Sequence, residues 1–105
     1  MIQIAEILPP KRNRLWDMVK QCGVDHVVGI MDFGNQPSGT LMIYLGSYSS
    51  LERLKRSYED GGFEFAVLES RPPLHRAKLG KPGIEDEIES VCQLIRNMGQ
   101  LGIPV

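Results

Sequence analysis

The sequence predicts an α/β fold in which a parallel sheet is built from repeated strand–helix units. Helical and extended apolar patterns alternate along the 105 residues in the order β-α-β-α-β-α-β. Strands separated by helices return in the same direction, so the sheet is expected to be parallel, with right-handed crossovers. The runs "VVGIM" and "FAVL" are continuously apolar, as strands buried on both faces require.

The opening segment predicts one strand and one helix. Residues 2–8, "IQIAEIL", form the expected strand. One apolar stripe then recurs at helical spacing: Leu15, Met18, Val19 and Cys22. Gly23 follows this stripe and is predicted to end the helix in a left-handed conformation. Trp16 lies beside the stripe and is expected to pack in the core rather than to bind a sugar.

The second unit begins with the strand "HVVGIM" at residues 26–31. After a segment rich in Gly, Pro and Ser, Ser49 and Glu52 have the spacing of a capping box that starts a helix. The buried face of this helix is predicted from three apolar positions: Leu51, Leu54 and Tyr58. Gly61 and Gly62 are predicted to end the helix.

The third unit begins with a strand at residues 63–68. A helix is predicted after Pro82, because three acidic residues occupy its first turn, where the helix dipole favours negative charge: Glu85, Asp86 and Glu87. Its predicted buried stripe consists of Ile84, Ile88, Val91, Ile95 and Met98. Gly102 ends the helix, and residues 103–105 are predicted to start a fourth strand.

Two architectures have this element order, the doubly wound sheet and the (β/α)8 barrel. No G-x-G-x-x-G or Walker sequence follows a predicted strand, which disfavours the phosphate-binding doubly wound folds. The barrel is therefore the preferred interpretation, although a complete barrel takes roughly 250 residues. Residues 1–105 are expected to form one N-terminal portion of a barrel, with three βα units and the start of strand four.

Composition narrows the classes of partner. The net charge is −1 with acids and bases interspersed, which gives no basic footprint for nucleic acid and no polybasic signal for membranes. No apolar run approaches the roughly 18 residues of a membrane span, so a cytoplasmic location is expected. The two cysteines, Cys22 and Cys92, lack a C-x-x-C partner and are expected to be reduced.

Polar side chains follow two of the predicted strands. In a parallel barrel the active site lies at the carboxyl ends of the strands, where Asp32 and Glu69 would meet on one rim. A carboxylate there can hold a substrate hydroxyl or orient a metal-bound water, and His75 can exchange a proton near neutral pH. Alternatively, Glu69 pairs with Arg71 or caps a loop, and His75 is a solvated loop residue.

Several short stretches together resemble a known family. They are "VLES" at 67–70, the proline and histidine that follow, "KLG" at 78–80 and "LIRNMGQLGIPV" at 94–105. They are similar to the N-terminal part of the mannonate dehydratases, which belong to the xylose-isomerase-like group of (β/α)8 barrels. The resemblance is strongest over residues 63–105.

The resemblance implies an activity: metal-dependent dehydration of D-mannonate to 2-keto-3-deoxy-D-gluconate in hexuronate catabolism. It also implies Mn²⁺ or Fe²⁺, with ligands in later strands, so that no metal is expected to bind this chain alone. The substrate-binding candidates are Asp32, Glu69, Arg71 and His75, and the expected partners are a sugar acid and either a second copy or the remainder of the barrel.

The chain also departs from the family pattern. It has "IQIAEILPP" where the family carries Arg-Trp-Tyr-Gly, and Arg76 and Ala77 follow His75 where the family has Glu-Asp. Two alternatives therefore stay open. One is a xylose-isomerase-like sugar isomerase or epimerase with another substrate, and the other is a non-catalytic truncated half-barrel.

Overall fold

A computed structural model describes residues 1–31 and 46–105. Within these ranges three strands and four helices follow one another: β1 (Ala5–Ile7), α1 (Arg14–Gln21), β2 (His26–Gly29), α2 (Tyr48–Asp60), β3 (Glu64–Leu68), α3 (His75–Lys78) and α4 (Glu85–Leu101). The predicted alternation of strands and helices is confirmed, and the short helix α3 is an addition to it. Every helix in the described ranges is too short or too polar to cross a lipid bilayer.

The three strands form one sheet in the order β1-β2-β3, and both pairings are parallel, as predicted. The predicted fourth strand is absent from residues 103–105 as a regular element. Even so, the Leu68 N–H donates a hydrogen bond of 2.8 Å to the Val105 carbonyl. The neighbouring Glu69 N–H donates to Gly29 of β2, so Val105 lies on the opposite edge of β3. The chain end therefore runs where the fourth strand was expected.

An aromatic cluster forms the centre of the core between the sheet and the helices. Trp16 stacks on Tyr58 with ring centroids 5.3 Å apart and meets Phe63 edge-on at 5.6 Å. Tyr58 also packs against Phe65 at 5.3 Å. The Trp16 indole N–H donates to the Pro9 carbonyl at 3.1 Å, so its polar group is satisfied. The prediction that Trp16 packs in the core is confirmed.

The predicted stripe of α1 is wrong in part. Val19 is buried, but Leu15 and Met18 are 43% and 51% exposed, and Cys22 is exposed beyond the end of the helix. Trp16 takes the core position instead. A helix with apolar residues at several neighbouring positions has more than one possible apolar face. The aromatic partners of Trp16, which are Tyr58 and Phe63, decide which face of α1 is buried.

Helix α2 begins two residues earlier than predicted. Ser47 is the N-cap, and its hydroxyl accepts a hydrogen bond of 3.3 Å from the Ser50 N–H. The segment "SYSS" offers several serines that could cap a helix, and the sequence does not distinguish between them. The buried positions of this helix match the prediction: Leu51, Leu54 and Tyr58. Gly62, with φ of 82°, supplies the left-handed turn that follows the helix.

Helix α4 has the predicted acidic first turn and ends at Gly102 as predicted, with this glycine in a left-handed conformation, but its buried face differs. Ile88 and Ile95 are 45% and 60% exposed, whereas Leu94 and Asn97 are buried. The Asn97 amide donates to the Gly46 carbonyl at 2.9 Å, just before α2. A hydrogen bond from a buried polar side chain thus joins helix α4 to the start of α2. The pattern of apolar residues does not predict a buried asparagine.

Candidate functional site

The carboxyl ends of β2 and β3 are held side by side. The Glu69 N–H donates to the Gly29 carbonyl at 3.0 Å, which continues the ladder beyond the strand. The Met31 N–H donates to the Ser70 hydroxyl at 2.6 Å, so a side chain continues the contact. Asp32 follows directly and lies outside the described residues. Its expected position beside Glu69 therefore stays a prediction.

A β-bulge interrupts the alternation of side chains in β3. Val27 of β2 lies opposite Phe65, but Val28 lies opposite Val67, so that Ala66 is an extra residue without a partner. A bulge of this kind shifts every following side chain by one position relative to the neighbouring strand. Side chains beyond Ala66 therefore face the opposite side of the sheet from the side that regular alternation would give.

The bulge directs Glu69 away from the helices. Leu68 lies opposite Gly29, and both are buried on the helix-covered side of the sheet. The residues that follow this pair, Ile30 and Glu69, are both exposed. Alternation from the buried pair assigns their side chains to the other face. In a regularly alternating strand, Glu69 would share the side of the buried Phe65. The open face of the sheet thus carries a carboxylate at its carboxyl end.

Arg71 lies next to this carboxylate in sequence without pairing with it. Its guanidinium donates to the Pro72 carbonyl at 3.4 Å and is otherwise exposed. Within residues 1–31 and 46–105, the Glu69 side chain makes no hydrogen bond or ion pair. The alternative in which Glu69 pairs with Arg71 therefore has no support in the structure. Both side chains are available to a ligand at the rim.

His75 is the first residue of α3, and its side chain is exposed. Helix α3 has no side-chain cap from Leu74. The carboxylate of Glu87 in α4 instead accepts hydrogen bonds from the backbone N–H groups of Arg76 and Ala77. From the sequence, Glu87 is predicted only to interact with the dipole of its own helix. No local sequence pattern predicts this contact, because α3 and Glu87 of α4 come together only through the turn between the two helices.

The amino ends of the strands carry a second group of charges. His26 begins β2, at the opposite end of the strands from Glu69, and its Nε2 lies 3.4 Å from a carboxylate oxygen of Glu64. Lys20 donates to Asp25 at 2.6 Å and thereby lowers the pKa of Asp25. Lys55 and Glu59 border an open depression at this end. In parallel barrels this end contributes to stability rather than to catalysis.

The described residues do not fit the divalent metal that the family resemblance implies. Among residues 1–31 and 46–105, no three His, Cys, Asp or Glu side chains come together as a group that could hold a metal ion. Glu69 and His75 follow the same strand but are separated by the turn that leads into α3. The chemistry available from these residues is hydrogen bonding to hydroxyl and carboxylate groups and proton exchange.

Comparison with known proteins relates the sequence of the chain to one family. A family model described as D-mannonate dehydratase (UxuA) matches residues 9–105. Mannonate dehydratases from Streptococcus pneumoniae (strain 70585) and Streptococcus suis (strain 05ZYH33) are each 44% identical to the chain over 52 residues. That match covers 50% of this chain and 14% of each relative.

A solved structure from the same family has a similar fold. The crystal structure of mannonate dehydratase from Streptococcus suis serotype2 superposes with a TM-score of 0.77 and 26% sequence identity. The superposition covers 99% of this chain and 29% of that one. The chain described here therefore spans less than a third of the length of the proteins that it matches.

Proposed function

Because the chain belongs to the D-mannonate dehydratase family, we propose that it supplies one part of the substrate rim of an enzyme that dehydrates D-mannonate. The observation that carries this proposal is the bulge at Ala66, which directs Glu69 to the open face at the carboxyl end of β3. Polar groups at that end of a parallel barrel face the active site. The proposed product is 2-keto-3-deoxy-D-gluconate, and the proposed setting is cytoplasmic hexuronate catabolism.

Each rim residue has a role that follows from its chemistry. Glu69 is an acceptor for substrate hydroxyl groups, since its side chain makes no hydrogen bond within the described residues. Arg71 presents a guanidinium, which is suited to the planar carboxylate of a sugar acid. His75 exchanges a proton with a hydroxyl group of the substrate. Asp32, which follows β2, is the fourth proposed contact.

The proposed architecture is a (β/α)8 barrel of which residues 1–105 form the N-terminal portion. Two observations support this architecture. The strands are parallel in the order β1-β2-β3, and the chain superposes on 29% of a mannonate dehydratase chain. Metal ligands for Mn²⁺ or Fe²⁺ would come from residues other than the described ones. Such an ion would supply Lewis-acid chemistry at the substrate oxygens. The residues of this chain bind and orient the sugar acid.

A titration with D-mannonate tests the proposal. Chemical shifts of the ¹⁵N-labelled chain should change at Glu69, Arg71 and His75. Glu69→Gln should weaken binding about tenfold, which corresponds to roughly 1.4 kcal/mol. Glu64→Gln is the matched control, because Glu64 is an exposed carboxylate at the other end of the same strand.

Two outcomes would contradict the proposal. One is an equal loss of affinity in Glu64→Gln and Glu69→Gln, which would remove the assignment to the carboxyl end of β3. The other is equally strong binding of a neutral aldose such as D-xylose. That result would favour the sugar isomerase or epimerase alternative, since an aldose lacks the carboxylate that Arg71 is proposed to bind.

A further inference from the structure

Helix α3 begins without a cap of its own, and a residue of α4 replaces it. The Arg76 N–H lies 3.1 Å and 3.0 Å from the two carboxylate oxygens of Glu87. The Ala77 N–H donates to one of these oxygens at 3.0 Å. The first backbone N–H groups of any helix lack partners within the helix. A single carboxylate thus satisfies two of them in α3.

The contact fixes the backbone next to His75. The two N–H groups belong to the residues that directly follow His75 in the chain. Further along, the Lys81 N–H donates to the Arg76 carbonyl at 3.0 Å, which closes the turn on itself. Within the described residues, every hydrogen bond between α3 and α4 ends on the Glu87 carboxylate. Glu87 therefore ties this turn to the long helix.

We propose that Glu87 is a positioning residue for His75: its carboxylate holds the turn that carries the imidazole in place beyond the end of β3. This inference rests on the proposed function, in which His75 contacts the sugar acid. Glu87 itself does not touch the substrate. It acts through the backbone of Arg76 and Ala77, so its removal leaves the chemical groups of the rim intact and changes where His75 is held.

The charge state of Glu87 is consistent with this role. The hydrogen bond from the Ala77 N–H lowers the pKa of Glu87 most, burial opposes that effect, and the Arg76 N–H and the charges of Arg76 and His75 lower it further. The same turn of α4 also carries Glu85 and Asp86, whose negative charges face solvent. Because the pKa of Glu87 is lowered, its hold on the turn is present above the ordinary glutamate pKa and is lost as the pH falls through the lowered value.

The test compares Glu87→Gln with Glu85→Gln in the full chain. Glu85 is an exposed acidic residue in the same helical turn and makes no side-chain hydrogen bond within the described residues. In the unsubstituted chain, protonation of Glu87 should occur below the ordinary glutamate pKa. It should change the chemical shifts of the Arg76 and Ala77 amide protons and of the His75 ring protons at the same pH. Glu87→Gln should abolish these changes and speed exchange of the Ala77 amide about tenfold. Glu85→Gln should do neither.

The result separates this inference from the proposed function. Unchanged amide exchange in Glu87→Gln, or an equal change in Glu85→Gln, would overturn the positioning role. So would a His75 ring spectrum that does not respond to the loss of Glu87. These measurements need no substrate. If they give the expected result while D-mannonate produces no shifts at Glu69 or Arg71, the proposed substrate is wrong and the tie between Glu87 and the His75 turn stands.

Discussion

Tyr58 shows how one residue can join two layers of the fold. Its ring packs between Trp16 and Phe65, while its hydroxyl donates a hydrogen bond of 2.7 Å to the Leu8 carbonyl after β1. Burial raises the pKa of Tyr58 to about 12. The folded chain therefore favours the neutral phenol, and this contribution to stability is complete below the ordinary tyrosine pKa of 10.0.

Replacing Tyr58 with Phe should lower the free energy of unfolding by about 1–2 kcal/mol, since the Leu8 carbonyl loses a buried partner. The unsubstituted chain should also lose stability as the pH rises from 10.0 to about 12, and Tyr58→Phe should lack that component. Urea unfolding as a function of pH measures both effects. Tyr48→Phe, at an exposed position of the same helix, is the control and should change neither quantity.

At the residue scale, the sequence predicts the buried positions of two large aromatic residues better than those of polar ones. Trp16 and Tyr58 are buried as expected, because few places in a small domain can cover side chains of that size. Asn97 was not expected in the core, since its burial depends on a carbonyl distant in sequence, that of Gly46. The sequence places Glu69 at the end of its strand, but the bulge at Ala66, which decides the face of the sheet on which Glu69 lies, has no local signal in it.

At the scale of helices and strands, order and direction follow from local patterns, whereas the choice of buried face does not. The acidic turn and Gly102 of α4 were predicted because they act within one turn of the chain. The buried faces of α1 and α4 depend on which side chains the neighbouring elements present. Those contacts form between residues far apart in sequence, so periodicity alone does not determine them.

Two glycines at helix positions should respond to alanine in opposite ways. A Cβ added at Gly61, the C-cap of α2, would overlap the Trp16 ring, so Gly61→Ala should cost about 1–3 kcal/mol through overpacking. A Cβ at Gly99 in α4 meets nothing within 4 Å. Gly99→Ala should therefore stabilise the chain by about 0.5–1 kcal/mol. Thermal unfolding of both variants measures the difference, and equal effects would contradict the packing described around Trp16.

At the scale of the whole molecule, apolar side chains remain exposed on helices α1 and α4 and on the open face of the sheet. They are Leu15 and Met18 on α1, Ile88 and Ile95 on α4, Ile7 on β1 and Ile30 directly after β2. The strand β1 also has an edge without a partner among the described residues. Exposed apolar surface and open strand edges both favour association.

The chain of 11.8 kDa is therefore expected to associate, with itself or with the remainder of a barrel, rather than to persist as a monomer. Sedimentation of the purified chain should show species heavier than the monomer. Ile95→Glu should reduce their population, because the charge would be buried in the contact. A compact monomer with cooperative unfolding would contradict this expectation and indicate a self-sufficient α/β domain.

The extra residue in β3 also has a consequence for protein engineering. The alternation of side chains between the two faces of the sheet is shifted by one residue at Ala66. Counting every second residue from Phe65 would therefore assign Glu69 to the buried face, which is the wrong one. Grafting this carboxylate onto a regular strand of another scaffold would require moving it by one position. Insertion or deletion of one residue near Ala66 would move the side chain of Glu69 to the other face of the sheet. A polar group at the rim can thus be gained or lost in evolution without any substitution at the rim itself.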